Sequence, residues 1–244
     1  MINVERILEK LDSHLHKNDY ESAERHLLYW LEEGKNSREE IPLLNELMGL
    51  YRKVGREEDA IKTAEKGLDA LKKHGISDKI SGATTYLNSA TVFKAFGKAE
   101  EAIPLFERAR EIYEKNLDTD DTRLGGLYNN MALALVDLKR FNEAKDLYLK
   151  AISVMEKSEK GALEVAITYL NMASAVEEKV GLLDGDIEIQ DYLKKAEDLI
   201  ESFPERDGYY AFVCEKCATV FGYYGHFYFE NELKERAKKI YEGT

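Results

Sequence analysis

Apolar residues recur along most of the chain at spacings of three and four, which is the period of an amphipathic helix. One clear stretch carries Leu44, Leu47, Met48 and Tyr51 and is followed by a turn signal at Gly55. A second apolar stripe of the same period begins after that glycine. Two stripes on either side of a short turn predict a helical hairpin.

The hairpin pattern repeats with a period of 42 residues, because Ala60, Ala102 and Ala144 stand at the same place in successive copies. Small residues are expected where two helices cross closely, and aromatic residues where a neighbouring hairpin must be filled. A single hairpin cannot bury such a face alone, so the copies should stack into an all-α solenoid. The three strong copies contain Leu44, Leu47, Met48, Tyr51, Gly55, Ala60, Ala64, Gly67; Tyr86, Ser89, Ala90, Phe93, Gly97, Ala102, Phe106, Ala109; and Tyr128, Met131, Ala132, Leu135, Phe141, Ala144, Tyr148, Ala151.

Weaker copies extend the array in both directions, and the copy nearest the C-terminus fits least well because Glu230 and Lys234 replace an alanine and an aromatic residue. Ser37, Ser77 and Asp120 are expected to cap the helices that follow them. A longer turn is expected over residues 180–187. The sequence predicts one solenoid over residues 1–244, with hairpins at 3–34, 37–74, 77–116, 120–158, 160–202 and 206–242.

These residues resemble the tetratricopeptide repeat family, and the segment 124–132 with the 42-residue period is similar to the longer repeats of kinesin light chains. The alanine and aromatic positions after each turn favour this family over repeats of the HEAT type, whose period is similar. The repeats depart from the family in lacking a tryptophan at their fourth position and the proline that often ends a unit. The resemblance implies a right-handed superhelix whose first helices line a concave groove.

Composition narrows the classes of function. The net charge of −12, from 47 acidic and 35 basic residues, disfavours nucleic acid and anionic membrane surfaces as partners. No apolar run approaches the roughly 20 residues of a membrane span, and the charged first twenty residues do not resemble a signal peptide. Two cysteines are too few for a disulfide framework. A cytoplasmic location is therefore expected.

Asparagines mark the first helices as candidate binding surfaces, since an amide offers a donor and an acceptor to the backbone of a bound peptide. Asn88, Asn130 and Asn171 share one repeat position. The alternative is that they form hydrogen bonds between adjacent helices. The candidate ligand-binding residues are Asn45, Arg52, Lys53, Asn88, Thr91, Lys94, Asn129, Asn130 and Asn171.

By resemblance, family members that clamp a terminal carboxylate need basic residues beside these asparagines. Arg52, Lys53 and Lys94 are the basic candidates, but acidic residues share the same face, so a basic or mixed peptide fits as well as an acidic one. The acidic residues are Glu46, Asp137, Glu177 and Glu178.

The last hairpin is rich in aromatic residues, and exposed members would form an apolar patch suited to a partner or to a second copy of the chain. The alternative is that they pack within the hairpin. This segment therefore carries the prediction of a homodimer. The aromatic residues are Tyr209, Tyr210, Phe212, Phe221, Tyr223, Tyr224, Phe227, Tyr228 and Phe229.

Other patterns with chemical potential have simpler structural explanations. Cys214 and Cys217 have the spacing of a metal-binding pair, but a zinc site needs four ligands and no second pair exists, so core packing is expected. Asp184, Asp186 and Glu188 begin like a calcium loop, yet the required glycine and final glutamate are absent. The sequence therefore predicts no catalytic residue, no metal and no cofactor.

The function that these observations favour is an interaction scaffold that binds a protein or peptide in the solenoid groove. A second hypothesis is a sensor that changes conformation when a peptide binds and so regulates an effector. An enzyme with an unrecognised site is the third and least supported. Fold alone does not choose among them.

Overall fold

The structure of the chain, a computed structural model, describes residues 3–243, and every regular element in that range is an α-helix. The all-helical prediction is confirmed, while residues 1, 2 and 244 of the predicted solenoid lie outside the described residues. The helices are α1 (Val4–Leu15), α2 (Tyr20–Glu33), α3 (Glu40–Lys53), α4 (Glu57–His74), α5 (Ile80–Ala95), α6 (Ala99–Asn116), α7 (Thr122–Asp137), α8 (Phe141–Met155), α9 (Gly161–Val180), α10 (Leu182–Ser202), α11 (Gly208–Tyr223) and α12 (Phe227–Glu242).

The helices belong to two compact units that divide after Leu117. In the first unit, α3 packs against α4 and α5 against α6, and α5 also contacts both α3 and α4. In the second unit the pairs are α7 with α8, α9 with α10 and α11 with α12, and α9 contacts α7, α8 and α11. Each unit is therefore a stack of helical hairpins whose first helices contact one another.

A residue in the left-handed region closes the turn of each hairpin. Glycine occupies this position at Gly55, Gly97 and Gly225, whose φ angles are 73°, 74° and 88°. The next residue then bonds back into the first helix, as in the 2.9 Å bond from the Lys98 amide to the Phe93 carbonyl. Glycine adopts this conformation without the steric cost that a Cβ imposes. The turn between α7 and α8 instead uses Lys139.

Small residues lie at the helix crossings, as the repeat pattern predicts. Ala60, Ala102 and Ala144 are completely buried, and the large side chains of Phe106 and Tyr148 fill the space beside them. Close approach at the alanines removes backbone and side-chain surface from water, which is the main favourable contribution to such packing.

The last hairpin accommodates the unusual Glu230 through a glycine on the facing helix. A Cβ added to Gly222 would lie 2.1 Å from Glu230 Oε2, so the glycine lets the carboxylate lie directly against α11 in this position. The repeat pattern places a small residue on α12 at position 230. In this hairpin the small residue lies on α11 instead, at Gly222. The carboxylate also accepts a hydrogen bond from Lys234 at 2.5 Å.

The predicted helix caps are wrong by one or two residues. Asp121 caps α7 in place of Asp120, with its carboxylate accepting the Arg123 amide at 3.0 Å. Ser37 lies in the preceding turn, where its hydroxyl donates to the Gly34 carbonyl at 2.7 Å, and α3 begins after Glu39. Ser77 likewise precedes the residue that caps α5, Lys79.

The long turn predicted over residues 180–187 is also wrong. Only Gly181 separates α9 from α10, and its φ of 85° permits the abrupt reversal. Asp184 lies in the first turn of α10, where a negative charge is favourable. Gly185 packs so closely on Val176 that a Cβ would lie 2.8 Å from it. The acidic residues expected in a solvated turn therefore extend the helix.

Candidate functional site

The asparagines of the second unit lie on consecutive first helices, α7 and α9, and are half-buried. Asn171 donates a hydrogen bond to the Asn129 side chain across the two helices at 3.2 Å. Asn130 donates to the Gly126 carbonyl of its own helix at 2.8 Å. Each amide carries two donors and an acceptor, so these bonds leave hydrogen-bonding capacity on all three side chains.

Two carboxylates on α9 form hydrogen bonds or ion pairs with residues of neighbouring helices and turns. Glu177 accepts a hydrogen bond from the hydroxyl of Tyr223, the last residue of α11, at 2.6 Å. It accepts a second from the hydroxyl of the next residue, Tyr224, at 2.8 Å. Burial raises the pKa of Tyr224, and the Glu177 carboxylate adds to this effect, so the hydroxyl stays protonated as a donor. Glu178 forms an ion pair with Lys139. Glu177 and Glu178 are therefore both paired within the second unit.

In the first unit the candidate residues of α3 have different environments. The Asn45 side chain is half-buried, and its Oδ1 is enclosed without a hydrogen-bond partner among the described residues. Arg52 is exposed, although partial removal from water lowers the pKa of its guanidinium. The Lys53 ammonium lies 5.3 Å from the centre of the Tyr20 ring, a cation–π arrangement.

The candidates of α5 lie on the helix that packs against α3. Asn88, Thr91 and Lys94 are half-buried. The Thr91 hydroxyl donates to the Leu87 carbonyl of its own helix at 2.8 Å. The structure therefore joins Asn129 to Asn171 directly, and it places Asn88 in the first unit and Asn130 in the second.

A recess that was not predicted from the sequence lies in the first unit between α2, α3 and α4. Its volume is about 600 Å³, and Leu28, Leu31 and Leu44 line it together with Lys66 and Lys73. The candidate residues predicted from the sequence all lie on first helices, whereas most of this lining comes from second helices. The sequence signal for this recess is Leu28, an apolar residue outside the repeat pattern. In the structure its side chain is 45% exposed.

The cysteine pair is part of the core of the second unit. Cys214 and Cys217 are fully buried on α11, and burial raises their thiol pKa values to about 11 and about 12. Within residues 3–243, no group of three or more histidine, cysteine or acidic side chains is placed to hold a metal ion. None of the described helices is both long enough and apolar enough to cross a bilayer.

Stacked helical hairpins with small residues at each crossing define a helical repeat protein. Two family models, both described as tetratricopeptide repeat, match residues 39–115 and 125–158, one in each unit. Both units accordingly contain tetratricopeptide repeats over these stretches. No curated protein matches its sequence.

Solved structures share the fold at low sequence identity. BtubC (BKLC) from P. vanneervenii is 19% identical, with a TM-score of 0.68 over 80% of this chain and 79% of that one. The tetratricopeptide-like repeats of a putative kinesin light chain from P. anserina are 18% identical, with a TM-score of 0.56 over 82% and 94%. MamA is 22% identical, with a TM-score of 0.53 over 78% and 94%. These likenesses concern the fold.

Proposed function

We propose that the protein is an interaction scaffold that binds a protein or peptide partner along the first helices of its hairpins. The tetratricopeptide fold is in general a scaffold for protein interactions, which supports the class of function. The observation that carries the proposal is the pair of half-buried amides, Asn129 and Asn171, on consecutive first helices. Amides at this spacing offer donors and acceptors to the backbone of an extended or helical segment.

The two units offer different charges to such a partner. In the first unit, Arg52 and Lys53 expose positive charge on α3. In the second unit, the carboxylates of Glu177 and Glu178 are already engaged with tyrosine hydroxyls and a lysine. Where the proposed partner contacts the first unit, acidic residues are therefore favoured in it.

A triple substitution tests the role of the asparagines. Proteins that co-purify with the chain are identified first. Their affinity is then measured for the wild-type chain and for one variant that combines Asn88→Ala, Asn130→Ala and Asn171→Ala. We expect affinity to fall by more than about 0.5 kcal/mol, since one net hydrogen bond contributes about that much or more. The control replaces Asn142 and Asn231, exposed asparagines on α8 and α12. Equal affinity of the triple variant and wild type would refute the role of these residues.

We also propose that the last hairpin forms a homodimer contact. Tyr210 and Phe221 of its aromatic group are buried, but Tyr223, Phe227 and Tyr228 are exposed, the last at 95%. Such exposure of large aromatic side chains is typical of interfaces. Light scattering should show a mass that rises with concentration, and Phe227→Ser with Tyr228→Ser should abolish the rise. A concentration-independent monomer would exclude the dimer.

A further inference from the structure

The hairpin of α9 and α10 is longer than its neighbours in the second unit. α9 has 20 residues and α10 has 21, whereas α7, α8, α11 and α12 have 15 or 16 each. Glu177 on α9 accepts a hydrogen bond from Tyr223, the last residue of α11, at 2.6 Å. The side chains of Gln190 on α10 and His226 hydrogen-bond at 3.0 Å. Residues 180–187, called the tip below, therefore extend past the turn between α11 and α12.

Aliphatic side chains are exposed on this tip. Leu183 and Ile187 lie one turn apart on the outer face of α10 and are 95% and 88% exposed. Val180 and Leu182 beside them are about half exposed. A single exposed leucine is ordinary, but four aliphatic side chains this close together form a patch of the kind that marks a protein contact.

The tip also keeps a net negative charge. Asp184 forms no ion pair within residues 3–243, and Asp186 accepts a long hydrogen bond of 3.5 Å from Gln190. Lys179 lies next to the tip and offsets one of these two carboxylates. A surface of positive charge is therefore favoured opposite the tip.

The recess between α2, α3 and α4 has the complementary shape, and it exists because α2 is short. α2 has 14 residues, against 18 in α4 and 18 in α6. Glu24 near the start of α2 bonds Arg56, which precedes α4, at 2.7 Å, and α2 then ends at Glu33. The second half of α4 continues beyond that end. The missing turn of α2 leaves the apolar surface around Leu44 and Ala70 open.

The recess has room for the aliphatic side chains of the tip. Its volume of about 600 Å³ lies within the range of roughly 300–1,000 Å³ that is typical of ligand pockets. Leu28 and Leu31 form its wall on the side of α2. An apolar recess and an apolar projection are thus present on the same chain.

The charge that remains at the recess is opposite to that of the tip. Lys66 lines the recess and forms no ion pair with any residue that the structure describes. The other charged residues of the lining are paired, at 3.0–3.3 Å, as Lys35 with Glu32, Lys73 with Glu40 and Asp69 with Lys72. Lys66 is therefore the charge left to attract a carboxylate.

We propose that the tip of one copy of the chain inserts into the recess of a second copy. Leu183 and Ile187 pack against the leucines of the recess, and the carboxylates of Asp184 and Asp186 lie near Lys66. Because the two surfaces differ, the contact is heterologous, and copies that use it join head to tail. This contact is separate from the first-helix surfaces and from the aromatic patch of the last hairpin.

A single contact of this kind is weak. Four side chains supply well under the roughly 800 Å² that each partner buries in a stable complex. The contact alone therefore does not raise the mass in light scattering, and a covalent trap is needed to detect it. In a dimer formed through the last hairpins, two tips and two recesses would reinforce one another.

Chemical cross-linking between two variants tests the contact directly. Ile187→Cys places a thiol on the tip, Leu28→Cys places one at the recess, and the native thiols are buried. A short bis-maleimide should link the two variants when they are mixed, with a yield at least about 5-fold above that of either variant alone. Both chains also carry Phe227→Ser and Tyr228→Ser, so the result does not depend on the last-hairpin contact.

A matched control and a charge reversal assign the cross-link to this contact. Leu149→Cys, on α8 and 50% exposed, replaces Leu28→Cys as the control and should give only the yield of random collisions. Leu183→Ser in the tip chain should remove most of the linked dimer. Lys66→Glu in the recess chain should lower the yield about 3-fold or more, and Asp184→Lys with Asp186→Lys in the tip chain should restore it.

Three results would overturn the proposal. The mixture could give no more linked dimer than the Leu149→Cys control, and a different protein would then have to cover the tip. Ile187→Cys could link to itself as efficiently as to Leu28→Cys, which would show a contact between two tips. Finally, the yield could be unchanged by Leu183→Ser or by Lys66→Glu, and the linking would then not pass through these surfaces.

Discussion

Glu46 on α3 carries a charge that the fold disfavours. Partial removal from water raises the pKa of its carboxyl above the usual 4.5, and the negative charge of Asp12 raises it further. A carboxyl with a raised pKa stabilises the folded state when it is protonated, and that stabilisation is lost as the pH rises through the folded-state pKa.

Glu46→Gln should therefore stabilise the protein at pH 7. The expected gain in the free energy of unfolding is below about 1 kcal/mol because the side chain keeps an exposed fraction. The gain should vanish near pH 3, where wild type is protonated as well. Denaturant unfolding at both pH values measures it, and Asp12→Asn should reproduce part of the effect. A gain that persists unchanged at pH 3 would contradict this explanation.

The buried cysteines should be chemically silent in the native protein. Thiol pKa values of about 11 for Cys214 and about 12 for Cys217 leave almost no thiolate at pH 8, and both sulfurs are inaccessible. A colorimetric thiol reagent should detect neither thiol in native buffer and both in denaturant. Rapid reaction of one thiol without denaturant would show that α11 is not packed as described.

Residue types could be predicted from the sequence more readily than their contacts. The positions of Asn129, Asn130 and Asn171 follow from the repeat, but the bond between Asn129 and Asn171 depends on how closely α7 approaches α9. The unsatisfied hydroxyl of Tyr148 has no sequence signal either, because Phe106 and Tyr148 are equivalent in the apolar pattern. Hydrogen-bond satisfaction is a property of the packed structure.

At the level of helices and turns, two glycines of the first unit should respond in opposite ways to alanine. Gly97 closes the turn between α5 and α6 at a φ of 74°, whereas Gly49 lies inside α3, and neither has an atom within 4 Å of an added Cβ. Gly97→Ala should destabilise by about 1 kcal/mol through backbone strain alone.

Gly49→Ala serves as the matched control and should stabilise by about 0.5–1 kcal/mol through helix propensity. Denaturant unfolding of both variants gives the comparison. If both substitutions changed stability in the same direction, the assignment of Gly97 to a left-handed turn would be wrong.

The existence of the helices follows from apolar spacing, but their ends do not. The extent of α10 depends on Gly185, which lets the helix pack against Val176 from its first turn. A run of glycines and acidic residues has the composition of a turn, and the tertiary contact overrides that local preference. The sequence offers both Asp120 and Asp121 as good caps of α7, and only the structure shows that Asp121 accepts the Arg123 amide.

On the scale of the whole molecule, repetition made the fold predictable. A 42-residue period fixes which residues of each hairpin are buried, and Ala60, Ala102 and Ala144 are buried accordingly. The period says nothing about which exposed side chains a partner contacts, because those positions are free to vary between units. Function in such a protein depends on its surface, which the repeat does not specify.

Site-specific photo-cross-linking tests most directly whether a partner binds the first helices. A photoreactive residue is placed at Ser174, which is exposed on the first helix α9, or at Asn142, which is exposed on the second helix α8. Illumination in cells that produce the chain should yield a covalent partner adduct from position 174 and none from position 142. Adducts from position 142 with none from position 174 would contradict the account.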